Sequence, residues 1–272
     1  MRDRLATALS TLTVDLTFAV DDLADGLYAQ LHTGHTRDRL SPKRDRQLEA
    51  LLTAAVPHET TTVTGVLKGR SAGRVLVELD DVLVWFPEDT VEGEHVRVPA
   101  VRPALSPGFL YVTSSRPAEF TDALQRVYVH VTNADDAPEV WRAVLTALER
   151  AEVTYHAKIL SRREEYPRRD ALVVYLPGLG ADLVASAVLG LPGIGTETSV
   201  FADELAPGVA VAEEPNDTRL GMSGLSFGQH RSRVLAQALL HTGEEPRELV
   251  VAREFTLAGI DPANPARNLV AS

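Results

Sequence analysis

The chain has no cysteine among its 272 residues, which excludes disulfides, thiolate metal sites and cysteine nucleophiles. No apolar run reaches the length of a membrane span. Met1-Arg-Asp-Arg-Leu5 lacks the apolar core of a signal peptide. Positive charge is short as well: 27 Lys and Arg against 38 Asp and Glu leave a net charge of −11. A general nucleic-acid binder needs a basic footprint, so neither nucleic acid nor membrane is an expected partner. A fixed-period repeat, a low-complexity tract and a P-loop are all missing. What remains is a soluble protein, expected in the cytoplasm, long enough for one large domain or two small ones.

The residues present divide the chain near position 115. Residues 3–31 carry a helical pattern uninterrupted by proline, which Gly34 stops. Ser41-Pro42 reads as a cap followed by proline, opening a helix to about Val56. Five strands follow, Thr61–Val66, Arg74–Leu79, Val82–Phe86, His95–Val101 and Phe109–Val112, separated by Gly- and Asp-rich turns. The expected class is α+β. Residues 1–115 form a helical and strand-rich part, helices then an antiparallel meander. Residues 116–272 form a mixed α/β core with an antiparallel sheet.

In the second part, the alternation over Arg126–Val131 points Arg126, Tyr128 and His130 one way and Val127, Val129 and Val131 the other. His156 and Lys158 share a face on a second strand, and Ala171–Leu176 forms a third. Neighbouring strands can thus present a cation, a phenol, an imidazole and an amine on one surface, a set that can hold a phosphate and move protons. On pattern alone, an ordinary half-buried sheet with a solvated polar face remains the stronger reading. Helices are expected after Asp135-Asp136-Ala137-Pro138, over about Ala181–Leu189, from Ser226 to about His241, and over Arg247–Ala258. Gly193–Asn216, rich in Gly and Pro, reads as loop-dominated.

Two further features carry chemistry, and two others fall short of a motif. Arg231 sits four residues from both Phe227 and Leu235, inside the apolar stripe of its helix, where an unpaired arginine is expensive. It reads equally as a binder of phosphate or carboxylate and as half of an internal ion pair with an aspartate such as Asp170. Arg162, Arg163, Arg168 and Arg169 bracket Glu164 and Glu165 in a basic cluster that equally describes a solvated loop. The Gly178-Leu179-Gly180 turn lacks the third small residue of a dinucleotide loop, because Leu183 takes its place. His32 and His35 have no third ligand at metal spacing.

The combination Leu27-Tyr28, His32-Thr33-Gly34, Pro107-Gly108-Phe109, Arg126-Val127-Tyr128, Ala157-Lys158-Ile159, Arg169-Asp170, Val173-Val174-Tyr175, Ala206-Pro207-Gly208-Val209-Ala210 and Ser226-Phe227-Gly228-Gln229-His230-Arg231 resembles the HopA-type effector family. The resemblance runs from about residue 25 to about residue 240. Members occur as bacterial type III effectors. They also occur as stand-alone proteins in clusters for ribosomally made peptides such as lanthipeptides and thioamitides, beside a kinase-like partner. The resemblance implies a phosphoserine/phosphothreonine lyase that eliminates phosphate and leaves dehydroalanine or dehydrobutyrine. The substrate would be a phosphorylated precursor peptide, with a separate kinase supplying the phosphate.

By that resemblance Lys158 is the general base. Arg169 and Arg231 grip the phosphate, with Arg126, Arg233, Tyr128 and His156 as further contacts. His130 stands where the lyase effectors place a general acid, and His156 or Tyr175 are alternatives for that role. Asp170 orients an arginine. A lysine base must lose its proton from a reference pKa of about 10.4, which burial and neighbouring arginines favour. No metal or cofactor is called for. A non-catalytic subunit that binds the peptide or activates the kinase, and an effector acting on a host phosphoprotein, are the competing expectations.

Overall fold

The computed structural model describes residues 3–12, 17–35, 43–117, 124–178, 180–241 and 243–269. Its centre is a seven-stranded sheet in the order β12-β13-β9-β11-β10-β8-β7, with every neighbouring pair antiparallel. The strands are β7 (Val101–Ser106), β8 (Phe109–Thr113), β9 (Leu124–Val131), β10 (His156–Leu160), β11 (Arg168–Pro177), β12 (Asp203–Ala206) and β13 (Val209–Glu213). Alternation on β9 sorts the two faces as expected. Val127, Val129 and Val131 enter one core, while Tyr128 enters the other.

The first core is closed by α4 (Ala137–Arg150), whose Trp141, Val144, Leu145 and Leu148 form a fully buried stripe, and by α5 (Ala181–Val188). Pro138 fits the first turn of α4, where its missing N–H goes unused. Against the opposite face lie α2 (Val20–Leu27), α6 (Phe227–Leu239) and α7 (Arg247–Leu257). α2 runs directly into a π-helical turn, Tyr28–Thr33, which ends where Gly34 takes a left-handed φ of 70°. Ser226 and Gln229 close a capping box that starts α6. The result is three layers, helix on sheet on helix. No helix among the described residues is long and apolar enough to cross a membrane.

Two three-stranded antiparallel sheets project beside this body. One pairs β1 (Thr60–Thr64), β6 (His95–Pro99) and β5 (Val91–Glu92). The other joins β2 (Val66–Ser71), β3 (Arg74–Leu79) and β4 (Val82–Pro87). They share a small core of Val75, Val77 and Val96. β6 continues through Ala100 into β7, so the meander of the first part hands its last two strands to the large sheet.

Gly193–Asn216 is loop-dominated as expected, with two short strands, β12 and β13, set into it and joined at Pro207-Gly208. Two expectations need correcting. The long N-terminal pattern is broken, with α1 (Asp3–Thr11) separate from α2. The Ser41-Pro42 cap lies outside the described residues. The described helix α3 (Arg46–Ala54) starts instead at Asp45, whose carboxylate accepts from the Leu48 N–H.

Candidate active site

Residues opposite one another on antiparallel strands share a face. Register therefore aligns Tyr128 on β9, Val173 on β11, Lys158 on β10, Tyr111 on β8 and Arg102 on β7 in one row. The next row holds Arg126, Tyr175, His156 and Thr113. The π-helical turn and the start of α6 roof the β9–β11 end of these rows. Beneath them is a cavity of about 290 Å³ that Lys158, Arg126, Tyr128, Tyr175, Arg168 and Asp170 all reach. A second recess of about 410 Å³ shares Lys158, Arg126 and Tyr175 and is walled by the loop Glu214–Ser226.

Half-buried Lys158 has its Nζ 4.6 Å from the Phe109 ring centre and 5.9 Å from that of Tyr175. Tyr128 is buried, 3% exposed, edge-on to the His32 ring at 5.1 Å, and its hydroxyl has no hydrogen-bond partner among the described residues. Burial raises the Tyr128 phenol well above its ordinary range, with Arg126 opposing, so it stays protonated and serves as a donor. Arg126 lies 5.0 Å over the Tyr175 ring, and its fork pairs with Glu214 through two hydrogen bonds.

A second charged group forms the floor. Arg168 donates to both oxygens of Asp170, at 2.8 and 2.7 Å, and approaches the Tyr28 hydroxyl at 3.4 Å. Burial alone would push the Asp170 carboxyl up. Arg168 overrides it, aided by His32 and Lys158, and holds it well below the usual carboxylate range. His32 is wedged between the Ser199 hydroxyl at 2.9 Å and Asp170 at 3.9 Å. Burial lowers its imidazole to about 4 against the pull of Asp170, so it is neutral at pH 7.

The other expected site residues lie elsewhere. Arg169 faces away from the cavity, bonded to Glu197 at 2.9 Å and to the Gln30 carbonyl at 3.0 Å. Fully buried Arg231 donates to the Pro265 carbonyl, Asn268 and His230, at 2.9, 3.0 and 2.7 Å, and stacks 4.8 Å over Phe227. Asp170, its expected partner, is taken by Arg168. Arg231 thus pins the Asp261–Pro265 turn, and burial lowers its guanidinium to about 10. Arg233 pairs with Asp21 at 3.0 Å. His130 donates to the Glu197 carbonyl at 3.1 Å and packs on Gly195, on the far side of the site. His156 lies 2.6 Å from the Tyr111 hydroxyl. Burial, with Arg102 adding, lowers it to about 4. Tyr28, His32, Arg168, Phe109 and Glu214 are the cavity groups that pattern reading did not assign.

The fold is shared with two solved proteins of Pseudomonas syringae, both described as effector proteins. The one from pathovar tomato strain DC3000 is 17% identical, with a TM-score of 0.58 over 98% of this chain and 95% of its own. The one from pathovar syringae strain 61 is also 17% identical, with a TM-score of 0.55 over 98% and 94%. No curated protein matches the chain by sequence. The model of the HopA1 effector protein family matches residues 100–267, and the chain belongs to that family.

Proposed function

We propose that the protein is a phosphoserine/phosphothreonine lyase. The observation that carries this reading is the Lys158–Val173–Tyr128 row: an amine and an unpartnered buried phenol face one cavity across a single strand, with two arginines at its walls. In the proposed reaction Lys158 takes the Cα proton of the phosphorylated residue. The Cβ–O bond breaks, its electron pair leaves with phosphate, and a Cα–Cβ double bond remains. Tyr128 donates to the departing oxygen, ahead of His130, which points elsewhere, and of His156, which is neutral and turned to Tyr111. Tyr175 lines the cavity beside Arg126 and orders that arginine through its ring. Arg126 and Arg168 bind the phosphate and offset its charge as it leaves, a role for which forked guanidinium groups suit.

Two substrates fit this chemistry. Both solved relatives are effector proteins and match over nearly their whole length, which favours a phosphoprotein acted on by an effector. A phosphorylated precursor peptide supplied by a partner kinase is the second reading. The deciding test is mass spectrometry of phosphothreonine peptides and phosphoproteins incubated with the protein. Loss of phosphoric acid, leaving a thiol-trappable product, is expected from wild type and not from Lys158→Ala, which should still bind phosphopeptide. Equal elimination by a folded Lys158→Ala protein would remove lysine as the base. Binding without elimination by wild type would leave a non-catalytic subunit.

A further inference from the structure

The row that carries Lys158 does not stop at the cavity. It continues through Tyr111 to Arg102 on β7, and the neighbouring row continues through His156 to Thr113. There a groove of about 760 Å³ opens between the large sheet and the small-sheet lobe, with His156, Thr113 and Arg102 on one wall. Its size falls within the ~300–1,000 Å³ of built ligand sites. The opposite wall includes four successive residues of β1, Thr61, Thr62, Val63 and Thr64. A strand seen face-on presents every second residue, so a run of four means that the groove follows the strand's edge.

That edge is free. Among the described residues β1 is the outer strand of its sheet and pairs only with β6. Ala100 N–H donates to Glu59 and Gly65 N–H donates to Glu94, and both pairs fall in the β1–β6 register. Hydrogen-bonded pairs alternate along an antiparallel ladder. Thr61 and Val63 therefore spend their backbone groups on β6, while Thr62 and Thr64 turn theirs outward. Among the described residues these outward groups have no backbone partner. An exposed edge of this kind is a template for another strand.

We propose that an extended peptide segment adds to β1 in this groove: the chain flanking the phosphorylated residue, led along the sheet face past His156 and Tyr111 to Lys158. The identity of that segment as substrate rests on the lyase reading; strand addition at β1 does not. The small-sheet lobe is then the substrate-docking unit, and the reaction needs a phosphorylated residue in an extended stretch of chain.

Thr62→Pro tests this, because it removes an outward N–H from an edge strand, a position where proline is tolerated. Thr62→Ala keeps that N–H and is the control. The probes are a fluorescein-labelled pool of phosphothreonine peptides about ten residues long, some 33 Å when extended, and acetyl-phosphothreonine methylamide, which is too short to reach the groove. Thr62→Pro should weaken anisotropy-measured binding of the pool by about tenfold, the scale of one lost backbone bond with its neighbours. Thr62→Ala should match wild type, and elimination from the short amide should be equal in all three. Peptide should also slow amide exchange at Thr62 and Thr64 in wild type. If nothing is eliminated but Thr62→Pro still binds the pool more weakly, the lyase reading fails and the docking groove stands. Equal pool binding by wild type and Thr62→Pro overturns the groove, as does absence of pool binding to wild type. A wild-type dimer that Thr62→Pro converts to monomer also overturns it, in favour of pairing between copies.

Discussion

At the scale of single residues, the site sets donors against the groups that occupy them. The Tyr128 hydroxyl is buried without a partner among the described residues, a state that costs about 1–3 kcal/mol. Tyr128→Phe removes that cost, so its melting temperature should not fall, while elimination slows by on the order of 10²-fold, as for loss of a proton donor. Wild-type turnover in Tyr128→Phe, measured by phosphate release, would take the phenol out of the reaction. Arg126 presents the opposite case, since its fork already holds the carboxylate of Glu214. A phosphate oxygen reaching Arg126 competes with that carboxylate. Glu214→Gln removes the charge and keeps an acceptor, so calorimetry should find inorganic phosphate bound roughly tenfold more tightly, the size of one charge-assisted bond. Weaker phosphate binding in that variant would mean that Glu214 positions Arg126 rather than competing for it.

At the scale of elements, the roof of the site depends on one close contact. A Cβ on Gly228 of α6 would lie 2.2 Å from the ring of His32, so only glycine lets the helix sit on the π-helical turn. Gly228→Ala should cost about 1–3 kcal/mol by overpacking and lower activity, because the same turn carries Tyr28. Gly26 in α2 has nothing within 4 Å of its Cβ position, and Gly26→Ala should stabilise by about 0.5–1 kcal/mol. Thermal melts of the two variants should shift in opposite directions; a common direction would refute the close-contact account. The same elements show what the sequence could convey. Alternation made the Arg126–Tyr128 face and the Lys158 face legible, because a strand's period is set locally. The start of α6 at Ser226 was legible for the same reason, since a helix cap acts within its own first turn. Arg168 and Arg169 could not be sorted. The register of β11 shifts between Arg168 and Leu172, and this irregularity turns Arg168 and Asp170 into the cavity and Arg169 out of it. Arg231, an anomaly in the pattern, proved to be a buried clasp for a distant turn. Tyr28 and His32 stand in motifs of the resemblance, but their place over the cavity is not legible locally, since which helix roofs which strand is a tertiary choice.

At the scale of the whole molecule, the buried polar centre ties stability to pH. His32 is neutral in the folded protein because burial lowers its imidazole from 6.5 to about 4, against Asp170, with Arg168, Arg126 and Arg169 adding to the depression. In the unfolded chain the imidazole titrates near 6.5, so between about pH 6.5 and 4 the unfolded state binds the extra proton. Stability is therefore full above 6.5 and is lost as pH falls towards 4, by on the order of 3 kcal/mol from this residue. Asp170 acts in a lower window. Its folded pKa is depressed, so its contribution is present above the ordinary 3.8 and disappears only in stronger acid. His156, also lowered to about 4, adds a slope of the same sign. Denaturant unfolding of wild type in steps from pH 7 to 4.5 should show stability falling steadily with acidity. His32→Gln keeps a polar group near Ser199 but cannot take up the proton, so its slope should be smaller by close to one proton. Equal slopes in the two proteins would show that His32 is not held neutral. The pH response would then have to come from His156 and the other buried histidines, and the Asp170–Arg168 centre would not depend on a neutral His32 beside it.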